Sequence, residues 1–171
     1  ALTNVTCNYA KNVIGYEIDE TLKPIINEVL GDKDNVEIIF TDFLKRNVNE
    51  DIKKYEYKKL YVVANLPYYI TTPIIEKIIE DDLGVDKIVI MVQKEVGDRF
   101  NAKVGTKDYN SLTVFLNYYF DIKKLMNVSR NSFVPAPNVE SVIIEMDKKK
   151  NNYAVAYEKL FFNIIRDSFK F

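Results

Sequence analysis

The sequence predicts an α/β domain built on an open, largely parallel sheet. Three observations lead there. Strand-like and helix-like segments alternate along most of the 171 residues, the pattern that crossover-connected parallel strands require. Several strand-like runs are short, apolar and rich in β-branched residues, as in Val36-Glu37-Ile38-Ile39-Phe40 and Leu60-Tyr61-Val62-Val63-Ala64. These runs also stop at polar residues, Glu17, Asp42 and Asn65, and the carboxyl edge of an open α/β sheet is where ligands bind.

The elements follow in order. Val13–Ile18 reads as a strand ending among acids. Residues 20–30 carry Leu22, Ile25, Ile26, Val29 and Leu30 at helical spacing, with Gly31 placed for a C-terminal cap. Val36–Phe40 is a second strand and Leu60–Ala64 a third, which its apolar run marks as buried. Thr72 suits an N-cap with Pro73 at the first helical position, opening a helix to about Glu80. Lys87–Val92 is a fourth strand, followed by a helix over Lys94–Phe100. Asp108–Tyr118 is predicted helical, and residues 121–129 and 139–146 are predicted to close the sheet. The Lys-Lys-Lys-Asn-Asn-Tyr stretch at 148–153 is the predicted domain boundary. Beyond it Tyr157, Leu160, Phe161, Ile164, Ile165 and Phe169 form one apolar helical stripe. Two domains are therefore expected, 1–147 and 148–171.

Composition narrows the chemistry. A chain of 171 residues that is 47% hydrophobic can bury a substantial core. No apolar stretch approaches the roughly 20 residues that span a bilayer, and no leader peptide is visible at the N-terminus. The single Cys7 can form neither an intrachain disulfide nor a zinc cluster, which fits a cytoplasmic protein. The chain contains no histidine, so Ser-His-Asp and Cys-His nucleophiles and most zinc hydrolases are excluded. The net charge is −1, from 24 basic and 25 acidic residues, so any contact with nucleic acid must be local. Lys94, Arg99, Lys103 and Lys107 are one candidate cluster; Lys148-Lys149-Lys150 reads as solvated surface.

The tetrapeptide Asn65-Leu66-Pro67-Tyr68 closes the third strand. Each residue type suits a nucleobase bearing an exocyclic amine. The Asn65 side-chain oxygen can accept from the amine. Pro67 has a fixed φ and no N–H, so it stiffens the turn and can aim the Leu66 carbonyl at the same amine. Tyr68 offers a face on which a base can stack. Two acceptors on one amine leave its lone pair free to attack an electrophile. An ordinary strand-to-helix turn accounts for the four residues equally well.

Three more positions carry a similar choice. A carboxylate at Glu17 can accept both hydroxyl hydrogens of a ribose, while Asp19 is better placed as a helix cap. Asp42 can accept from an adenine amine, with Phe43 donating its backbone N–H. Strand-end acids are also common turn residues. Phe133 precedes Pro135 and Pro137, which stiffen its loop and pre-set the ring; it can equally be a core phenylalanine.

Four runs then occur in a fixed order: Asn65–Ile75 (NLPYYITTPII), Gln93-Lys94-Glu95-Val96 with Arg99, Gly105-Thr106-Lys107-Asp108-Tyr109, and Phe133–Ser141 (FVPAPNVES). Together they resemble the ribosomal RNA adenine dimethyltransferases of the kasugamycin-sensitivity family, from about Tyr9 to Phe171. The resemblance implies a Rossmann-like, S-adenosylmethionine-dependent methyltransferase fold that modifies adenine N6 in small-subunit ribosomal RNA. It implies that Glu17, Asp42 and Phe43 hold the cofactor's adenosine and that Asn65 adjoins the cofactor as well as the target. It implies that Asn65 and Tyr68 engage the target adenine and that Phe133 stacks on its other face; Leu66 and Pro67 complete the catalytic candidates. A monomer acting on immature small subunits, away from membranes and without a metal, is expected. Two alternatives share the scaffold: a large-subunit methyltransferase of the macrolide-resistance type, and a non-catalytic RNA-binding or ribosome-assembly factor. The QKEV and GTKDY runs and Leu66 are closer to the small-subunit group.

One departure from the family stands out. Its first strand and glycine-rich loop, which cradle the methionine end of the cofactor, have no counterpart after Ala1-Leu2-Thr3. The sequence holds only five glycines and no G-x-G cluster. The C-terminal helical domain is expected to be cut short at Phe171. An open slot is therefore expected between the Val13–Ile18 and Leu60–Ala64 strands, with Glu17, Asp42 and Asn65 along one rim. Cofactor binding by the chain as written is expected to be weak.

Overall fold

The computed structural model describes residues 2–150 and 155–170; residues 151–153 of the predicted boundary lie outside the described residues. The chain divides into two compact units, Ala1–Leu60 with Tyr69–Gly84, and Tyr61–Tyr68 with Val85–Phe171.

The first unit contains α1 (Leu2–Thr6), β1 (Val13–Glu17), α2 (Lys23–Leu30), β2 (Val36–Phe40), α3 (Val48–Ile52) and α4 (Thr71–Glu80). β1 and β2 pair in parallel, with Glu17 opposite Phe40. The Asn35 side chain ties the end of α1 to this sheet by donating to the carbonyls of Cys7 and Ala10 at 2.8 and 3.0 Å. α4 buries Ile74, Ile75 and Ile78, the spacing of one helical face. Its N-cap is Ile70, without a side-chain bond. Thr72 is therefore not the predicted cap, because the helix begins one residue before it and Pro73 sits inside the first turn. Of the stripe predicted on α2, Ile26 and Leu30 are half-buried while Leu22, Ile25 and Val29 are exposed. Gly31 does cap this helix, donating to the Asn27 carbonyl at 2.8 Å from right-handed backbone.

The second unit contains β3 (Tyr61–Asn65), β4 (Lys87–Gln93), α5 (Lys94–Phe100), α6 (Ser111–Tyr119), β5 (Phe120–Val128), β6 (Ser141–Lys148) and α7 (Glu158–Ser168). Its sheet runs β3-β4-β6-β5. β3 and β4 are parallel, and β6 is antiparallel to both β4 and β5. β6 is thus the one reversed strand of this sheet. The core is made by alternate residues of two central strands, Ile88, Ile90 and Val92 from β4 and Val142, Ile144 and Met146 from β6. α5 lies so close to this face that a Cβ on Gly97 would meet Val142 Cγ1 at 2.4 Å. α6 starts in a capping box, Asn110 Oδ1 accepting from the Thr113 N–H at 3.1 Å and Thr113 Oγ1 accepting from the Asn110 N–H at 3.2 Å. α7 packs on α6 through Phe162, whose ring lies 4.9 Å from Phe115 and 5.2 Å from Tyr118.

β3 corrects one expectation. It is the end strand of its sheet, so its apolar run is not buried: Tyr61 is 57% and Val63 43% exposed. The opposite end strand, β5, exposes Lys123, Lys124, Leu125 and Met126 and carries a bulge between Lys124 and Met126.

Candidate active site

β3 delivers Asn65 to the carboxyl end of the second unit's sheet, in register with Met91 of β4. The chain turns at Leu66-Pro67, and a single 3₁₀ turn over Tyr68–Ile70 follows. A second 3₁₀ turn, Arg130–Ser132, is capped by Ser129, whose hydroxyl accepts from the Asn131 N–H at 3.3 Å. It ends at Phe133, in extended backbone. A cis bond joins Val134 to Pro135 just beyond.

These segments enclose an open cleft of about 200 Å³, lined by Asn65, Leu66, Pro67, Tyr68, Met91, Phe133, Pro135 and Pro137. Drug-sized pockets run to roughly 300–1,000 Å³; this cleft is smaller and open to solvent. Its walls are mostly aromatic and proline surface, with Leu66 and Met91. Its one side-chain amide, Asn65, is exposed and has no hydrogen-bond partner among the described residues. Tyr68 is held at its tip, with its Oη 2.9 Å from Ser141 Oγ. The five residues predicted to act on the target, Asn65, Leu66, Pro67, Tyr68 and Phe133, therefore line one cleft. Met91 and Ser141 were not anticipated.

The other predicted ligands lie in the first unit, where β1 and β2 end side by side. Glu17 Oε1 accepts the Asp19 N–H at 2.9 Å, and Oε2 is unengaged among the described residues. Asp19 caps the next 3₁₀ turn, accepting from the Thr21 N–H and hydroxyl at 2.9 and 2.6 Å; these bonds hold its carboxyl below the usual range. Asp42 likewise caps the Phe43–Lys45 turn, accepting from the Leu44 N–H at 3.0 Å, with Lys45 Nζ 3.5 Å from the other oxygen. Asp42 is thus a turn cap, and its second oxygen lies beside an exposed lysine. Phe43 occupies the first position of that turn, where a backbone N–H has no intrahelical acceptor.

A charged network behind this edge was not foreseen. The Phe43 ring meets Tyr16 edge-on at 5.2 Å. Tyr16 Oη donates to Asp51 Oδ2 at 3.1 Å, and Arg46 grips both oxygens of the same wholly buried carboxylate. Lys54 bridges Asp51 to Glu37, which also accepts from Tyr55 Oη at 2.7 Å. The Arg46 hydrogen bonds, against the cost of burial, hold the Asp51 carboxyl at about 2. Burial, and then the Asp51 charge, push the Tyr16 hydroxyl well above its ordinary value.

The expected basic cluster is partly neutralised within its own helix: Lys94 pairs with Asp98 at 3.2 Å and Arg99 with Glu95, leaving Lys103 and Lys107 exposed. Lys149 turns inward to the Asn117 carbonyl.

This α/β fold is that of the S-adenosylmethionine-dependent methyltransferases. It is similar to a dimethyladenosine transferase from Plasmodium falciparum at a TM-score of 0.82 and 29% identity, over 98% of this chain and 58% of that one. It also matches the 23S rRNA methyltransferase ErmE at a TM-score of 0.77 and 23% identity, over 96% and 64% of the two chains, a likeness of fold alone. The ribosomal RNA adenine dimethylase family model matches residues 1–171, and the chain belongs to that family. It is 48% identical over 172 residues to ribosomal RNA small subunit methyltransferase A of Bacillus cytotoxicus, and 40% identical to that of Staphylococcus aureus. Each alignment covers 99% of this chain and only 59% or 58% of the relative.

Proposed function

We propose that the chain is the catalytic part of an enzyme that transfers methyl groups from S-adenosylmethionine to adenine N6 in small-subunit ribosomal RNA. The observation that carries this reading is the free Asn65 amide in an open cleft that Tyr68 and Phe133 both line. In this reading the Asn65 oxygen and the Leu66 carbonyl accept the two amine hydrogens, so the nitrogen lone pair stays out of the ring system. Tyr68 and Phe133 hold the two faces of a base taken out of its stack. Pro67, Pro135 and Pro137 keep the walls fixed, so that little ordering remains to be done on binding.

The donor and acceptor set of the first unit fits the adenosine of the cofactor. Glu17 has a carboxylate oxygen left for ribose hydroxyls, Asp42 has one for an adenine amine once the exposed Lys45 swings aside, and Phe43 offers an N–H. When bound, S-adenosylmethionine supplies an electrophilic methyl group. Residues 1–147 would form the catalytic domain and 148–171 the start of a helical one, in a cytoplasmic monomer whose partner is the immature small subunit. The names of the relatives support the RNA assignment.

The test is a methyl-transfer assay with the natural full-length protein, labelled cofactor, and either immature small subunits or large-subunit RNA. Label in N6-methylated adenine of small-subunit RNA is expected. Label only in large-subunit RNA, or binding of small subunits without transfer, would overturn the reading.

A further inference from the structure

We propose that Ser141 is a positioning residue for the base cleft, acting through the Tyr68 hydroxyl; this rests on the adenine-binding reading above. The two hydroxyl oxygens are 2.9 Å apart. Ser141 is wholly buried and opens β6, paired with Gln93 of β4 on one side and Val128 of β5 on the other. Its hydroxyl is thus held by a strand that cannot shift without breaking two ladders. A buried hydroxyl left without a partner is costly, and Tyr68 is the partner that Ser141 has.

Tyr68 is placed less firmly by its own backbone. It begins a single 3₁₀ turn just beyond the end of β3 and is half-buried. Its ring direction depends on two side-chain torsions, and the bond to Ser141 fixes where the ring's tip lies. The segment from Phe133 to Ser141 therefore sets both walls. One end carries the Phe133 ring, and the other carries the hydroxyl that orients the ring of Tyr68. Pro135 and Pro137, both lining the cleft, stiffen the stretch between them.

Tyr68→Phe keeps the ring and removes its hydroxyl, while Ser141→Ala removes the other half of the pair. In the natural full-length protein each should lower kcat/KM for RNA about tenfold, with cofactor affinity unchanged. The double variant should be no worse than the poorer single, because both changes remove one interaction. Ser141→Thr, which keeps a hydroxyl on a strand-compatible side chain, should recover most of the loss. Additive losses, or full turnover in both single variants, would overturn the proposal. A second readout does not depend on turnover: ¹³C relaxation of the Tyr68 ring in the free protein. Ser141→Ala should loosen that ring while the melting curve stays cooperative, and an unchanged ring would overturn the proposal whatever the substrate. Should Ser141→Ala fail to fold, Tyr68→Phe still tests the turnover arm. A loosened ring in a protein whose wild type methylates no small-subunit RNA would sink the functional reading and leave the anchor standing.

Discussion

Arg46 holds Asp51 at both carboxylate oxygens, Nε to Oδ2 at 2.8 Å and Nη2 to Oδ1 at 2.6 Å. The carboxylate is wholly buried and the guanidinium partly exposed, so the pair is shielded on one side only. Removing one partner strands the other. Asp51→Asn should therefore destabilise the fold by about 1–3 kcal/mol, read as a lower urea midpoint.

The same pair makes a pH prediction. The Asp51 carboxyl is depressed from 3.8 to about 2, so its contribution is present above pH ~4 and is lost as pH falls towards 2. Allowing for solvent around Arg46, the loss is on the order of 1–2 kcal/mol. The stability gap between wild type and Asp51→Asn should close over that window. A gap that is the same at pH 6 and pH 2.5 would contradict it. Tyr16, raised by burial and by Asp51, acts in the opposite sense: its contribution is present below pH ~10 and is lost as pH rises beyond.

Asn65→Ala should nearly abolish methyl transfer in the full-length protein without loosening the fold, since the exposed amide makes no internal bond to lose. Circular dichroism and melting should match the wild type. Wild-type turnover by the folded variant would remove Asn65 from the chemistry.

Phe133→Ala should weaken RNA turnover more than cofactor binding. Base–aromatic stacking is worth about 1–3 kcal/mol, so a loss of roughly tenfold or more is expected. An equal loss of cofactor affinity, measured by calorimetry, would instead mark Phe133 as a structural residue.

Glu17→Gln replaces a charged acceptor by a neutral one. Hydrogen bonds to charged groups contribute about 1.5–3 kcal/mol, so affinity for S-adenosylmethionine should fall about tenfold to a hundredfold. An unchanged affinity would return Glu17 to the role it already has, accepting the Asp19 N–H.

Much of this was legible in the sequence where a role depends on neighbours along the chain. The Val36–Phe40 strand and the Lys94–Phe100 helix appear where their patterns put them. Asn65-Leu66-Pro67-Tyr68 and the Phe133 loop also meet in one cleft. What depends on pairing was hidden. Met91 reaches the cleft because of the β3–β4 register, and Ser141 touches Tyr68 across 73 positions. Asp51 lies in Val-Asn-Glu-Asp-Ile, a polar stretch with nothing to mark a buried carboxylate; its partners Tyr16 and Arg46 come from other segments. An apolar run such as Leu60–Ala64 says that a strand forms but not which rank it takes, and β3 stands at the end of its sheet.

That rank has a practical consequence. The two margins of the second unit's sheet are guarded unequally. At β5, Lys123, Lys124 and a bulge obstruct an incoming strand, beside the exposed Leu125 and Met126. At β3, Tyr61 and Val63 present apolar, strand-forming side chains with no charge between them and only Lys58 and Lys59 just before. In concentrated solutions of this chain, Val63→Lys should accordingly raise the concentration at which light scattering appears, and an unchanged threshold would place self-association elsewhere.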